Sequence, residues 1–453
     1  MARRKTASAA APASEPFFLT TVLLSLFYGP FLARKISLVT ADLGRHLKNG
    51  EIFLRTFSPI ATNYYSYTQP DFPVVNHHWG SGIVFYLVWK LGGFPGLHVF
   101  FIGLSLLAFL IVFNIARKEA GPGIAALTAI AMVPLLAERT EVRPEAFSYL
   151  FAALFLHLLI GIRKNSIRPR WALALPIIEA IWVNSHIYFF LGPVILCAFL
   201  LEYHLDDPPR TADIRTHWKA LGLTLAATCL SPFGLKSALA PLSIFENYGY
   251  RLVENQPVWF IQRILHNPNC AIFEGVFALF AASFVIAWFR GRRREGAAGI
   301  LLGALVSGMA WLAIRNFAIF GLIALPLAAR NIAWSFPGFI DARRKGLRRL
   351  SLAALAALCL LAWYGKLQAI VPYSRELGIG LEAGNGAAAD FIRRVGIRGP
   401  IFNNYDIGGY LIYHLFPGER VFVDNRPEAY SKAFFEDTYI PMQQDGKVWS
   451  EVD

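Results

Sequence analysis

The chain has 453 residues, of which 55% are hydrophobic and 16% are charged, and its formal net charge is +13. A soluble domain carries about 25% charged residues, so this composition excludes an ordinary soluble protein and predicts a polytopic membrane protein. The positive charge does not indicate nucleic-acid binding, because the basic residues cluster in short tracts at the ends of apolar segments. The four cysteines show neither metal-site spacing nor a disulfide framework.

Apolar segments recur up to residue 370 and predict an α-helical membrane protein with about eleven transmembrane helices, since a span needs roughly 20 apolar residues. The predicted spans are 17–36, 95–116, 122–137, 145–162, 171–184, 187–203, 220–233, 271–289, 297–314, 317–335 and 351–370. The basic tracts fall at alternate span ends, which by the positive-inside rule places the N-terminus in the cytoplasm. The first span carries no convincing cleavage site and is expected to be a retained anchor.

A polar loop over residues 37–79 follows the first span and is expected to lie outside the membrane. Its candidate site residues, chosen among the side chains that can exchange protons or bind charged ligands, are Asp42, Arg45, His46, His77 and His78. Arg45 and His46 share one face with Asp42 if the segment is helical. Asp42 can serve as a general base or as a ligand for a divalent cation, but aspartate is equally favoured as a helix N-cap.

Further charged and polar residues are expected at the outer ends of later spans. They are Glu138, Glu141 and Arg143 in one turn, His186 in the next, and Arg315 near the end of the apolar region. Ordinary structural roles would be ion pairs within a helix, a structural hydrogen bond for His186 and snorkelling of Arg315 to the membrane surface. Arginine is also the side chain that grips a phosphate through two parallel hydrogen bonds.

Residues 371–453 differ from the rest of the chain in carrying more charge and glycine. They predict a small extracytoplasmic α/β domain, with a helix over 387–395 and strands over 400–403 and 420–424. The last residues read as the middle of an element, which suggests a truncation. The expected division is therefore a transmembrane module over 1–370 and an α/β tail.

Several segments resemble those of bacterial membrane proteins of the GT-C glycosyltransferase superfamily. They are Asp42-Leu-Gly-Arg-His-Leu, Asn63-Tyr-Tyr-Ser-Tyr-Thr, Asn76-His-His-Trp, Val142-Arg-Pro-Glu-Ala-Phe-Ser, Trp182-Val-Asn-Ser-His, Ser231-Pro-Phe-Gly, Arg315-Asn-x-x-x-Phe320, and in the tail 401–411 and 421–426. The resemblance spans most of the chain. Two positions depart from the family pattern: Leu43-Gly44 replace an aromatic pair, and His78 stands where relatives often carry glutamate.

The resemblance implies an inverting enzyme that moves a sugar from a polyprenyl-phosphate donor to an acceptor at the outer face of the bacterial inner membrane. It implies that Asp42 is the catalytic residue and deprotonates the acceptor hydroxyl, while Arg143 and Arg315 neutralise the departing phosphate. The expected partners are the lipid-linked donor, membrane lipids and an acceptor glycan, lipid or protein. The remaining expected substrate-binding residues are Arg45, His46, His77, His78, Glu141 and His186.

A divalent cation, Mg or Mn, is a further open question. Some members of the superfamily carry an Asp-x-Asp metal motif in the first outer loop, which this chain lacks. The candidate ligands here are Asp42, Glu138, Glu141 and His77.

Two alternative functions remain open at this point. A transporter or flippase of lipid-linked sugars should place ionisable residues at mid-membrane and show internal symmetry. The main interior charge in this chain is Glu179, and no repeat is visible in the sequence. The other alternative is a non-catalytic scaffold for assembly of the cell envelope.

Overall fold

A computed structural model describes residues 17–39, 42–205, 211–243, 246–291, 296–370 and 376–444. Within these residues the chain is mostly helical. The helices are α1 (Phe17–Leu32), α2 (Leu43–Thr56), α3 (Trp79–Leu136), α4 (Glu145–Arg163), α5 (Leu175–Trp182), α6 (Leu191–Leu205), α7 (Thr211–Ala227), α8 (Leu235–Leu239), α9 (Val258–Ile264), α10 (Pro268–Phe289), α11 (Ala297–Leu312), α12 (Phe317–Ser335), α13 (Pro337–Trp363), α14 (Ala387–Val395), α15 (Gly408–Leu415) and α16 (Ile440–Gln444). Short 3₁₀ turns over Val253–Asn255 and Ile314–Asn316 are important for the site below.

Six helices of the described chain are long and apolar enough to cross a membrane, judged by length and composition. They are α3, α4, α10, α13 and the stretches Ile187–Leu205 and Ile314–Ser335, which contain α6 and α12. The predicted multi-pass helical architecture is therefore confirmed. The predicted number of eleven is not, because several predicted spans form shorter helices. The segment 171–184, for example, contains α5 with eight residues, which is only about 12 Å long.

Helix α3 has 58 residues and would be roughly 87 Å long if it were straight, far beyond the bilayer core of about 30 Å. Two glycines break it: Gly93 has φ 61° and Gly121 has φ 78°. Glycine adopts this left-handed conformation without the steric cost that a side chain would add. The helix is thus three segments in series, and the predicted spans 95–116 and 122–137 fall on the second and third.

Helix α12 forms the centre of the bundle and packs along α3. It is apolar on all sides up to Ala329, carries the buried polar residues Arg330, Asn331 and Ser335 in its last part, and is buried along nearly its whole length, as expected for a helix surrounded by others. Phe317, at its start, stacks on Phe273 of α10 with ring centroids 4.6 Å apart. By contrast, α10 and α13 leave most of their surface uncovered.

Helix α2 lies between the first segment of α3 and α15. A Cβ atom at Gly44 would lie 2.5 Å from the carbonyl oxygen of Gly409 and 2.7 Å from Cβ of Tyr413. Gly50 lies equally close to the backbone of Gly82 in α3. A side chain at position 44 would therefore collide with α15, so glycine is required there.

The predicted α/β character of the tail is not confirmed. The helix over 387–395 is confirmed as α14, but the described residues 376–444 contain isolated β-bridges and no strand. The two predicted strands meet in a single bridge between Ile401 and Val421. The side chain of Asn403 accepts from the Phe422 amide at 2.9 Å and donates to the Val423 carbonyl at 2.7 Å. It thereby takes the place of further backbone pairing, while the domain boundary at 371 remains a prediction.

Candidate functional site

Asp42 lies directly before α2, in the N-cap position. Its backbone carbonyl accepts from the His46 amide at 3.2 Å, but its side chain makes no capping hydrogen bond. The capping interpretation is therefore wrong for the carboxylate. Oδ2 instead lies 3.1 Å from Arg45 Nη2 and 3.3 Å from His46 Nε2, so the predicted sharing of one helix face is confirmed.

The other carboxylate oxygen of Asp42, Oδ1, has different surroundings. Oδ1 is buried and has no hydrogen-bond partner among the described residues, and the nearest cationic atom is Arg143 Nε at 3.8 Å. Burial alone would raise the pKa of Asp42, but Arg143, His46 and Arg45 outweigh it and hold the pKa well below its usual range. Asp42 is therefore an ionised carboxylate with one oxygen available to accept a proton or a hydrogen bond.

Three arginines surround the carboxylate of Glu254, and we call them the arginine cluster: Arg139, Arg143 and Arg315. Arg139 forms the shortest contact. Arg143 Nη1 lies 3.5 Å from Oε2 of Glu254, and Arg315 Nη1 lies 3.5 Å from Oε1. The structure therefore brings Arg143 and Arg315 to opposite oxygens of one carboxylate.

Three separate segments of the chain supply the arginine cluster and its acidic partners: residues 139–145 and the two 3₁₀ turns. Glu145 accepts from Arg139 and, at 2.9 Å, from Arg315, while Glu141 pairs with Arg143 at 2.7 Å. The three positive charges are thus matched by three glutamates. Burial would raise the pKa of Glu254, but the neighbouring arginines outweigh it and keep that pKa at about 2, so the carboxyl is ionised.

The histidines lie against one another beside Asp42. Ring centroids are 5.3 Å apart for His46 and His78, 4.3 Å for His77 and His78, and 5.3 Å for His78 and His186. His186 Nδ1 lies 2.8 Å from the hydroxyl of Ser148. Burial lowers the pKa of His77 to about 4 and that of His78 well below 6.5. These rings are therefore neutral at physiological pH.

Glu138 lies apart from this arrangement. Asn267 and Asn269 donate hydrogen bonds to its two carboxylate oxygens, and burial raises its pKa to about 7. Of the predicted metal ligands, Glu138 is thus bound elsewhere and Glu141 is paired with Arg143. The described residues contain no group of three or more potential ligands placed to hold an ion. Arg45 lies 3.1 Å and Arg143 3.8 Å from the Asp42 carboxylate, and these two positive charges disfavour a divalent cation at that carboxylate.

Sequence reasoning missed Glu254, Asn255 and Asn425. Asn255 Oδ1 accepts from Arg315 at 2.9 Å, and Asn425 Oδ1 accepts from Arg45 at 3.3 Å. Asn425 belongs to the tail segment 421–426 that carried the family resemblance, so that segment could have been linked to the site. Glu254 lies in a long loop without a motif, and nothing in the sequence marks it.

Comparison with solved structures shows which fold this is. The oligosaccharyltransferase AglB from Archaeoglobus fulgidus, in complex with an inhibitory peptide and a dolichol-phosphate, matches 89% of this chain with a TM-score of 0.64 and 13% identity. The oligosaccharyltransferase of the same organism with Zn and sulfate matches with a TM-score of 0.57 and 13% identity, over 89% of this chain and 62% of that one. ArnT from Cupriavidus metallidurans in the apo state gives 0.53 and 13%, over 96% of this chain and 90% of that one.

The chain shares the fold of the archaeal oligosaccharyltransferase and of ArnT, in agreement with the fold that the motif resemblance implied. The chain spans 64% of the length of the archaeal enzyme. No protein-family model matches the chain, and no curated protein matches it in sequence. At 13% identity these likenesses establish the fold alone.

Proposed function

We propose that the chain is a membrane glycosyltransferase that moves a sugar from a polyprenyl-phosphate donor to an acceptor hydroxyl at the outer face of the membrane. One observation carries the proposal. Asp42 is an ionised carboxylate with one oxygen that has no hydrogen-bond partner among the described residues, and it lies beside the arginine cluster, whose three members all contact the carboxylate of Glu254. A base next to an anion site is what such a transfer requires. The dolichol-phosphate bound by one fold neighbour supports a lipid-linked donor.

Phosphate binding is assigned to the arginine cluster. Glu254 holds an anionic group between Arg143 and Arg315, and its side chain is 27% exposed, so it is reachable from outside. A lipid phosphate replaces this carboxylate and receives paired hydrogen bonds from the planar guanidinium groups. Glu254 thus neutralises the cluster while no phosphate is bound, which avoids the cost of uncompensated buried cations.

Proton removal is assigned to Asp42. Arg143 lies near both Asp42 and Glu254. When a phosphate draws Arg143 towards itself, Asp42 loses a counter-charge and its pKa rises, so the carboxylate becomes a stronger base. It then takes the proton of the acceptor hydroxyl as that oxygen attacks the sugar carbon and the bond to the phosphate oxygen breaks. A single displacement of this kind inverts the sugar carbon.

The neutral histidines orient the base. His46 Nε2 lies within hydrogen-bond distance of the same Asp42 oxygen that Arg45 contacts, so this oxygen is fixed and Oδ1 is left for the acceptor. His78 packs between His46 and His186. We assign these rings, with His77, to shaping the substrate cavity rather than to ligating a metal.

Metal dependence is tested separately, because one fold neighbour was solved with Zn whereas the described residues of this chain contain no group of three or more metal ligands placed to hold an ion. Transfer by the purified protein is expected to survive treatment with a chelator. Loss of transfer that added Mg or Mn restores would reinstate a metal at this site.

The assay for the reaction works whichever sugar is moved. A strain lacking the gene is expected to accumulate a polyprenyl-phosphate sugar, identifiable by mass spectrometry of its lipids. The wild-type gene restores the lipid profile, Asp42→Asn does not, and the matched change Asp341→Asn on the exposed part of α13 does. Absence of any accumulated lipid-linked sugar would contradict the proposal.

Location in a bacterial inner membrane with a cytoplasmic N-terminus also stays a proposal. It places Asp42 outside and the basic tract 290–294 inside. A cysteine introduced at position 42 is expected to react in intact cells with a membrane-impermeant reagent. Reaction at position 292 instead would reverse the topology.

A further inference from the structure

A cavity of about 280 Å³ lies between α2, the first segment of α3 and the tail helices α14 and α15. Its principal lining residues are Lys48, Glu51, Tyr86, Trp89, Arg393 and Tyr413. An α-helix turns about 100° per residue. The face of α2 that carries positions 44, 48 and 51, next to the cavity, is therefore rotated by roughly 140° about the helix axis from the face that carries positions 42, 45, 46 and 49, next to Asp42. The cavity is therefore on the side of α2 opposite to Asp42 and is separate from the site described above.

Aromatic rings form one wall of this cavity. Trp89 and Tyr413 lie edge to face, with centroids 6.3 Å apart and an interplanar angle of 89°, and Tyr86 lies 5.8 Å from Trp89. All three rings are half-buried, so part of their surface remains open. The close contact of Gly44 with α15 holds Tyr413 against α2, which fixes the wall between two parts of the chain far apart in sequence.

The charged groups of the cavity are paired. Lys48 Nζ donates to Glu51 at 2.9 Å. Arg393 donates to Asp390 at 2.6 Å and to the carbonyl of His414 at 3.2 Å. Each of these two cations has an anionic partner, although Glu51 also pairs with Arg55 at 2.6 Å, so neither Lys48 nor Arg393 is left unpaired to attract a phosphate. It offers hydrogen-bond donors and acceptors beside aromatic faces.

We propose that this cavity binds a neutral carbohydrate. A pyranose ring has an apolar C–H face, which packs on aromatic rings whose faces carry negative charge density, and an edge of hydroxyls. Here the C–H face rests on Trp89 and Tyr413, while the hydroxyls bond Lys48, Glu51 and Arg393. The volume is near the lower end of small-molecule sites, about 300 Å³, so it holds roughly one sugar unit. This assignment does not depend on the proposed transferase activity.

Saturation-transfer NMR on the full chain in detergent tests the assignment. The probes are the methyl glycosides of glucose, mannose, galactose and N-acetylglucosamine. A saturation-transfer signal is expected from at least one probe. Trp89→Ala should raise the Kd of that probe at least about tenfold, since one aromatic contact is lost. Trp89→Phe should keep most of the binding, which separates loss of the ring from misfolding. Trp171→Ala, at a tryptophan that is 53% exposed elsewhere on the molecule, is the matched control.

Asp42→Asn should leave this binding unchanged, so a failed transferase assay and a failed carbohydrate assay are distinct results. Three outcomes overturn the carbohydrate site. The first is the absence of a saturation-transfer signal for every probe, and the second is equal binding of the probe by wild type and Trp89→Ala. The third is displacement of the probe by undecaprenyl phosphate, which would assign the cavity to an anionic lipid.

Discussion

The two ends of α4 carry ion-pair networks of similar composition but different accessibility. Glu145, the first residue of α4, pairs with Arg139 and Arg315 of the arginine cluster. Arg163, at its last residue, contacts Glu119 at 3.6 Å and Glu202 at 3.1 Å. Eighteen residues separate these ends, or roughly 27 Å along a helix.

Exposure distinguishes the two networks. At the Arg163 end the side chains of the acids Glu119 and Glu202 are 5% and 2% exposed, although Lys164, which pairs with Glu119 at 2.8 Å, is 41% exposed. We call this the sealed end because its acids are buried; Glu202 also accepts from the backbone amide of Ala298 in α11. At the Glu145 end Arg315 and Glu254 are 24% and 27% exposed. A sealed network fixes helices, whereas a reachable one with a displaceable acid is suited to bind a charged ligand. The same residue types therefore have different uses at the two ends.

The largest expected effect is at Asp42. Asp42→Asn keeps the shape of the side chain but removes the base, so transfer should fall by about a hundred- to ten-thousand-fold. Arg143 retains Glu141 and Glu254 as partners, so the folded protein should persist, as thermal unfolding in detergent would show. The matched change Glu119→Gln at the sealed end should lower the unfolding midpoint and leave the rate per folded molecule unchanged. Equal losses of rate in both variants would remove the distinction between the two ends.

The second largest effect concerns the planar guanidinium groups of the arginine cluster. Arg143→Lys or Arg315→Lys keeps the charge but loses the paired donors, so transfer should fall about tenfold to a hundredfold, less than full removal of an oxyanion donor costs. Arg163→Lys, the matched change at the other end, should affect stability alone. Initial rates at saturating donor measure this difference. Full activity of both lysine variants at the cluster would show that charge without geometry is sufficient.

The sequence predicted the helical class and several element positions because apolar length and glycine positions are local signals. The spans predicted to begin at 95 and 122 follow the breaks at Gly93 and Gly121, and the predicted helix over 387–395 is α14. The number of spans was overestimated because an apolar run such as 171–184 does not reveal that its helix ends after eight residues. The predicted tail strands failed because the side chain of Asn403 satisfies backbone groups that a strand would otherwise pair.

The candidate site was predicted in part. Asp42, Arg45 and His46 follow from helical spacing. The structure brings Arg143 to within 3.8 Å of Asp42 and places Arg315 on the same Glu254 carboxylate as Arg143. Whether they act as assigned remains a prediction. Glu254 could not be found, because its meaning lies in contacts with residues as far as 115 positions away in the sequence, and no local pattern reports such contacts.

The third effect sharpens the idea of a displaceable acid. Glu254→Gln removes the carboxylate that competes with phosphate for the arginine cluster, so the Kd for undecaprenyl phosphate should fall roughly tenfold, as expected for loss of one charged hydrogen-bond acceptor. Glu202→Gln at the sealed end should leave this Kd unchanged. Titration of each purified variant with undecaprenyl phosphate measures both values. Weaker binding by Glu254→Gln would mean that Glu254 positions the arginines instead of competing for them.

The smallest expected effect is at Glu138. It tests whether this residue is part of the network around the arginine cluster. Burial raises the pKa of Glu138 to about 7 from 4.5, even though Asn267 and Asn269 donate to it. The folded state therefore holds this proton more tightly than the unfolded state does. The resulting contribution to the free energy of unfolding is complete below about pH 4.5 and is lost as the pH rises through about 7.

Glu138→Gln removes this titration. The unfolding midpoint of the wild type should decline between about pH 5 and 8, and that of the variant should decline less, by a few degrees over this range. Asp341→Asn on exposed α13 should follow the wild type. Transfer by Glu138→Gln should remain near that of the wild type, because the two carboxylate oxygens of Glu138 accept hydrogen bonds from asparagines outside the arginine cluster. A large loss of transfer would instead join Glu138 to the site around Asp42, and parallel curves of midpoint against pH would show that its proton is not held more tightly in the folded state.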